Sequence, residues 1–134
     1  MTQPSERERN KAGVEVNLAR HGKVSYMRIP AADTVALGAF YETVFAWQVS
    51  GRPEHMSFTD ASGEMIGAFE PGTPSEPGIV PFIYVQGING VIREVQANGG
   101  TIVQPVYAEG GLWVATFRDP AGNVMGVWQG GGER

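Results

Sequence analysis

Apolar and polar positions alternate along the chain in one pattern that occurs twice. Val24-Ser25-Tyr26-Met27-Arg28-Ile29, within the stretch Lys23 to Ile29 and closed by Pro30, predicts a strand. Asp33 then offers a carboxylate to the free N–H groups of a first helical turn. After it Val35, Leu37, Phe40, Tyr41, Val44 and Phe45 recur at three- and four-residue spacing, which predicts a helix with one apolar face. Trp47 to Ser50, His55 to Thr59 and Glu64 to Phe69 follow as short strands between Gly, Pro and Asp turns. The order restarts with a strand over Val80 to Val85, and Asn89 is placed to cap a second helix, Val91 to Asn98, stopped by Gly99-Gly100. Strands over Thr101 to Pro105, Leu112 to Arg118 and Asn123 to Gln129 complete it. Each half reads β-α-β-β-β.

The halves also match residue by residue. Phe58 through Gly72 aligns without a gap on Phe117 through Gly131, with Phe58/Phe117, Asp60/Asp119, Gly63/Gly122, Gly67/Gly126 and Gly72/Gly131 identical. Phe69/Trp128 and Glu70/Gln129 are similar in chemistry. Asp119-Pro120-Ala121-Gly122 suits a type I turn, with Pro pre-setting φ and the Asp side chain accepting from backbone N–H groups. The reading is a duplicated module: residues 23–72, then 79–129, joined by the Pro- and Gly-rich stretch Pro71 to Gly78. Residues 1–22 read as a mobile polar tail with a possible edge strand at Val14 to Leu18, and 130–134 as a frayed end.

Composition narrows the classes. The 134 residues are 42% hydrophobic, enough for one domain with a core, and 19 Gly with 9 Pro favour turns and short strands over a helical bundle. A net charge of −4 with scattered Lys and Arg argues against nucleic acid as a partner. No apolar run is long enough to span a membrane, and the N-terminus lacks a signal-peptide core, so a cytoplasmic protein is expected. The absence of Cys excludes disulfides, thiolate catalysis and Cys-based zinc sites.

The two β-α-β-β-β modules, the helix sequence Ala39-Phe40-Tyr41-Glu42-Thr43-Val44-Phe45-Ala46-Trp47, the Gly99-Gly100 stop and Asp119-Pro120-Ala121-Gly122-Asn123 resemble the vicinal oxygen chelate superfamily. Glyoxalase I, extradiol dioxygenases and bleomycin-resistance proteins belong to it. The resemblance covers Lys23 to Gln129 and implies an α+β fold in which two modules form a cup-shaped mixed sheet with chemistry or binding on its concave side. It also implies a divalent metal as the usual cofactor, held by a His or Gln on the first strand and a Glu on the last strand of each module. Those positions fall here on Tyr26, Gly67, Val80 and Gly126, none of which is the expected ligand, so no metal is expected. Glu70 lies three residues beyond Gly67 and therefore out of phase with it. His21 and His55, the only histidines, read as ordinary surface or half-buried residues.

Alternation from those positions predicts a ligand-binding wall of Tyr26, Arg28, Phe69, Phe82, Tyr84 and Trp128, aromatic with one guanidinium. The glycines at 67 and 126 would leave space where metalloenzymes hold carboxylates. No Ser has a His and Asp partner suggested by spacing, so catalytic residues are not assigned. Besides an assembly or regulatory module, two functions remain open. One is a glyoxalase- or bleomycin-resistance-like protein that binds a small organic molecule, aromatic or anionic, without metal. The other is a lyase, isomerase or dioxygenase-like enzyme with a rebuilt or metal-free site using Tyr26, Tyr84 or Glu70. The resemblance further implies a homodimer, with the modules pairing within one chain or between two.

Overall fold

A computed structural model of the chain describes residues 8–74 and 78–134. Within them are eight strands and two helices: β1 (Val24–Ala31), α1 (Thr34–Phe45), β2 (Gln48–Arg52), β3 (His55–Thr59), β4 (Ile66–Pro71), β5 (Val80–Tyr84), α2 (Ile88–Ala97), β6 (Thr101–Glu109), β7 (Leu112–Arg118) and β8 (Val124–Gln129). The fold is α+β and built of two β-α-β-β-β modules. Part of the predicted linker and the first seven residues of the predicted tail lie outside the described residues. Among the described residues no helix is long and apolar enough to cross a membrane. The chain divides into two compact units, Ser25–Pro81 and a second that joins Phe82–Arg134 to the chain up to Val24.

In the first module the strand order is β2-β3-β4-β1, with β1 parallel to β4 and the other neighbours antiparallel. Asp33 caps α1 as its carboxylate predicts, its Oδ1 accepting from the Ala36 N–H at 3.0 Å. The helix ends at Ala46, whose backbone is left-handed (φ 60°) with its N–H donating to the Glu42 carbonyl. The core between helix and sheet holds Ile29, Met56, Phe58 and Phe69, with Leu37, Tyr41, Trp47 and Val49 against them. Tyr41 stacks on Phe69 at 5.8 Å and on Trp47 at 4.5 Å, and Trp47 on Phe58 at 4.7 Å. Gly38 lets the helix sit close, since a Cβ there would lie 2.9 Å from Val49 Cγ1. The predicted apolar face is corrected: Val35, Phe40, Val44 and Phe45 point away and are 48–55% exposed. A helix apolar nearly all round gives periodicity no preferred side, and Gly38 decides which side approaches the sheet.

The second module repeats the arrangement as β5-β8-β7-β6, with β5 parallel to β8 and the rest antiparallel. Its core joins Val85, Ile88, Ala115, Phe117 and Val127 to Val91, Ile92 and Val95 of α2. Strand β6 runs four residues beyond its predicted end and shifts register on either side of Gln104. The irregularity falls beside Pro105, which cannot donate to a ladder. The predicted Asn89 cap is also corrected. Gly87 takes the cap position, and a distant side chain does the capping: Gln129 Oε1 accepts from the Ile88 N–H at 2.9 Å. The Asn89 N–H donates to the Arg134 carbonyl at 2.7 Å, and the Arg134 guanidinium lies 4.4 Å from the Trp113 ring. The C-terminus is therefore fastened to the start of α2 instead of fraying.

Residues from Glu8 to Leu18 do not form an edge strand. They fold as turns around one antiparallel bridge, Arg9 to Glu15, supported by an ion pair of 3.6 Å. Val14, Glu15 and Leu18 are buried. Asn10 organises the turn by accepting the Ala12 and Val14 N–H groups on its Oδ1, each at 3.0 Å. The apolar pair Val14 and Leu18, four apart in a polar stretch, is the signal that this segment packs.

Candidate functional site

The two hairpins that look alike in sequence differ by one residue in structure. In the second, the Asp119 N–H donates to the Asn123 carbonyl and closes a tight turn. Asp119 Oδ1 accepts from the Ala121 and Asn123 N–H groups, and the Asn123 side-chain amide holds its carboxyl below the ordinary carboxylate range. In the first, the Asp60 N–H donates to Met65, one residue later. Phe58 consequently faces Gly67 across the ladder, whereas Phe117 faces Met125. The gapless alignment fails beyond the turn: Ala68 is the counterpart of Gly126, and Glu70 of Trp128. A shift of one residue moves every following side chain to the other face of a strand.

That shift redraws the predicted wall. In the first module Tyr26 pairs with Ile66, Arg28 with Ala68 and Pro30 with Glu70, so these residues share the face away from α1. Gly67 and Phe69 share the helix side with Met27 and Ile29. Phe69 is 1% exposed and belongs to the core, which removes it from the wall. Glu70, expected out of phase, stands in phase with Arg28, and its Oε1 lies 3.4 Å from Arg28 Nε. The helix-free face of the first module thus carries Tyr26 and Arg28 half-buried, Ala68 and Glu70 beside them, and on β3 and β2 the hydroxyls of Ser57 and Ser50, 3.4 Å apart.

In the second module Phe82, Tyr84 and Trp128 do share the helix-free face, since Phe82 pairs with Gly126 and Tyr84 with Trp128. They are 1–3% exposed, and Tyr84 meets Trp128 edge-on at 4.8 Å. The predicted space over the glycines is filled. A Cβ at Gly126 would collide with the Phe82 ring, and one at Gly67 with the Phe58 ring and the Met27 carbonyl. Tyr84 borders a cleft of about 540 Å³ that it shares with residues 10–12 and 129–133.

The divalent metal implied by this kind of fold does not fit the residues present. With the register corrected, the ligand positions are Tyr26 and Ala68 in the first module and Val80 and Gly126 in the second. One phenol is the only donor side chain among them, and the Phe82 ring stands at Gly126. Among the described residues no three of His, Cys, Asp and Glu converge on a point. No reaction step through a metal can be derived from these side chains.

The fold is that of the glyoxalase, bleomycin resistance and dioxygenase superfamily. A superfamily member from Vibrio splendidus 12B01 superposes with a TM-score of 0.58 at 15% identity, covering 78% of this chain and 96% of its own. Methylmalonyl-CoA epimerase from Mycobacterium tuberculosis gives 0.63 at 10% identity, covering 89% and 93%. A protein of Legionella pneumophila described as an NAD-dependent benzaldehyde dehydrogenase gives 0.61 at 14% identity, covering 78% and 96%. No protein-family model and no curated protein matches the sequence. The described activities of these neighbours differ among themselves, so the likeness carries the fold and leaves the reaction to the site.

Proposed function

We propose that the protein binds a small organic molecule on the helix-free face of its first module, without the metal usual for this fold. The observation that carries this reading is Arg28. Its side chain is 19% exposed, on the face opposite the helix, and its partner Glu70 is 45% exposed and 3.4 Å away. That is longer than the roughly 2.7–2.9 Å of a strong charge-assisted hydrogen bond, so a ligand carboxylate can take the place of Glu70 at little cost. Tyr26, on the same strand and face, supplies an aromatic surface for a planar body, and Ala68 beside Arg28 is a small neighbour. The ligand class is therefore a planar or conjugated molecule bearing an acidic group. Binding is favoured over turnover, since Glu70, the carboxylate on this face, is engaged with Arg28.

A thermal-shift screen of aromatic carboxylates and their neutral amides tests it. Carboxylates are expected to stabilise the protein, and Arg28→Ala to weaken them at least about tenfold while changing the amides little. Equal losses for both classes would remove the charge argument and leave Arg28 a structural residue. We also propose that the protein is a cytoplasmic homodimer, a reading supported for the dimer by the exposed apolar side of α1.

A further inference from the structure

We propose a second binding site, wholly within the compact unit that joins Phe82–Arg134 to the chain up to Val24, that takes a small zwitterion of the α-amino acid class. It is the cleft of about 540 Å³ between residues 10–12, the start of α2 and the tail 129–133. Two buried polar side chains form it, Tyr84 at 3% and Gln129 at 5% exposure. Gln129 builds the frame. Besides accepting from Ile88, its Nε2 donates to the Gly131 and Glu133 carbonyls, both at 2.7 Å. Those bonds order a tail containing three consecutive glycines, which is otherwise costly in entropy.

Tyr84 supplies the recognition. Its Oη accepts from the Gly130 N–H at 3.0 Å and from Asn10 Nδ2 at 3.4 Å. The Asn10 amide cannot be turned round, because its Oδ1 already accepts two backbone N–H groups. Both Tyr84 bonds thus arrive at the oxygen, and the hydroxyl proton has no acceptor among the described residues. An oxygen brought into the cleft can accept that proton in the place water otherwise takes. Lys11 and Glu133 line the same cleft and carry opposite charges. A plain anion or cation gains from one and loses to the other, whereas a molecule with a carboxylate and an ammonium group is matched by both. The glycine-rich wall presents backbone instead of apolar side chains, which suits a small polar guest.

The test is a thermal-shift and isothermal titration series with single α-amino acids, using acetate and ethylamine as one-charge probes. At least one amino acid is expected to raise the unfolding midpoint at millimolar concentration while acetate and ethylamine do not. Lys11→Gln and Glu133→Gln, both at exposed positions that leave the fold intact, are each expected to weaken it about tenfold, the scale of one charge-assisted bond. Tyr84→Phe should abolish binding. No response to any amino acid, equal binding of acetate, or unchanged affinity in both charge variants would overturn the proposal.

Discussion

Gly126 has no side chain, and the Phe82 ring fills the place one would take. The contact ties a residue choice on β8 to a residue choice on β5, because the two are paired in register. Gly126→Ala is expected to destabilise the protein by about 1–3 kcal/mol, since the ring or strand must move to admit one methyl group. In a Phe82→Ala background the same change should cost much less, and urea denaturation of the four proteins measures the coupling. The glycine itself is plain in the sequence, as is its spacing from Asp119. Its reason is not, because a glycine reads equally as space left for a ligand and as space taken by a neighbour. The same holds for Gly67, under the Phe58 ring.

Among the elements, α1 shows what periodicity resolves. Its start is legible at Asp33, whose carboxylate meets a helical N–H as expected. Its end is less so, because Ala46 adopts a left-handed conformation that usually calls for Gly. Ala46→Gly is therefore expected to raise stability by about 0.5–1 kcal/mol, relief of backbone strain outweighing the greater freedom of Gly when unfolded. An unchanged or lower denaturation midpoint would mean that the strain is absorbed elsewhere. The hairpins carry the larger lesson. Asp60 and Asp119, with Gly63 and Gly122, advertise matching turns, but the ladder closes at Met65 in one and Asn123 in the other. That single residue exchanges Phe69 for Glu70 on the helix-free face. Turn residues identify a turn, whereas its closing hydrogen bond fixes the register.

For the molecule as a whole, two outcomes follow from what its side chains offer. Zinc, nickel or a chelator should leave the unfolding midpoint unmoved, because Tyr26, Ala68, Val80 and Gly126 provide one donor side chain among four positions. A zinc-dependent rise that disappears in Tyr26→Phe would show that neighbours complete a site. Light scattering at micromolar concentration should return twice the 14.4 kDa chain mass, and Phe40→Ser on the exposed side of α1 should shift it toward the monomer. A monomer in the unaltered protein would dismiss the homodimer. The sequence by itself determined the element order, the duplication and the helix start at Asp33. These depend on local chemistry, on spacing and on which residue types are present. Only the tertiary structure decided which face each strand presents, that Glu70 stands beside Arg28, and that residues 10–14 and the C-terminal glycines close around Tyr84. Those depend on hydrogen bonds and contacts between residues far apart in the chain, such as Gln129 with Ile88 and Asn10 with Tyr84, which no local pattern encodes.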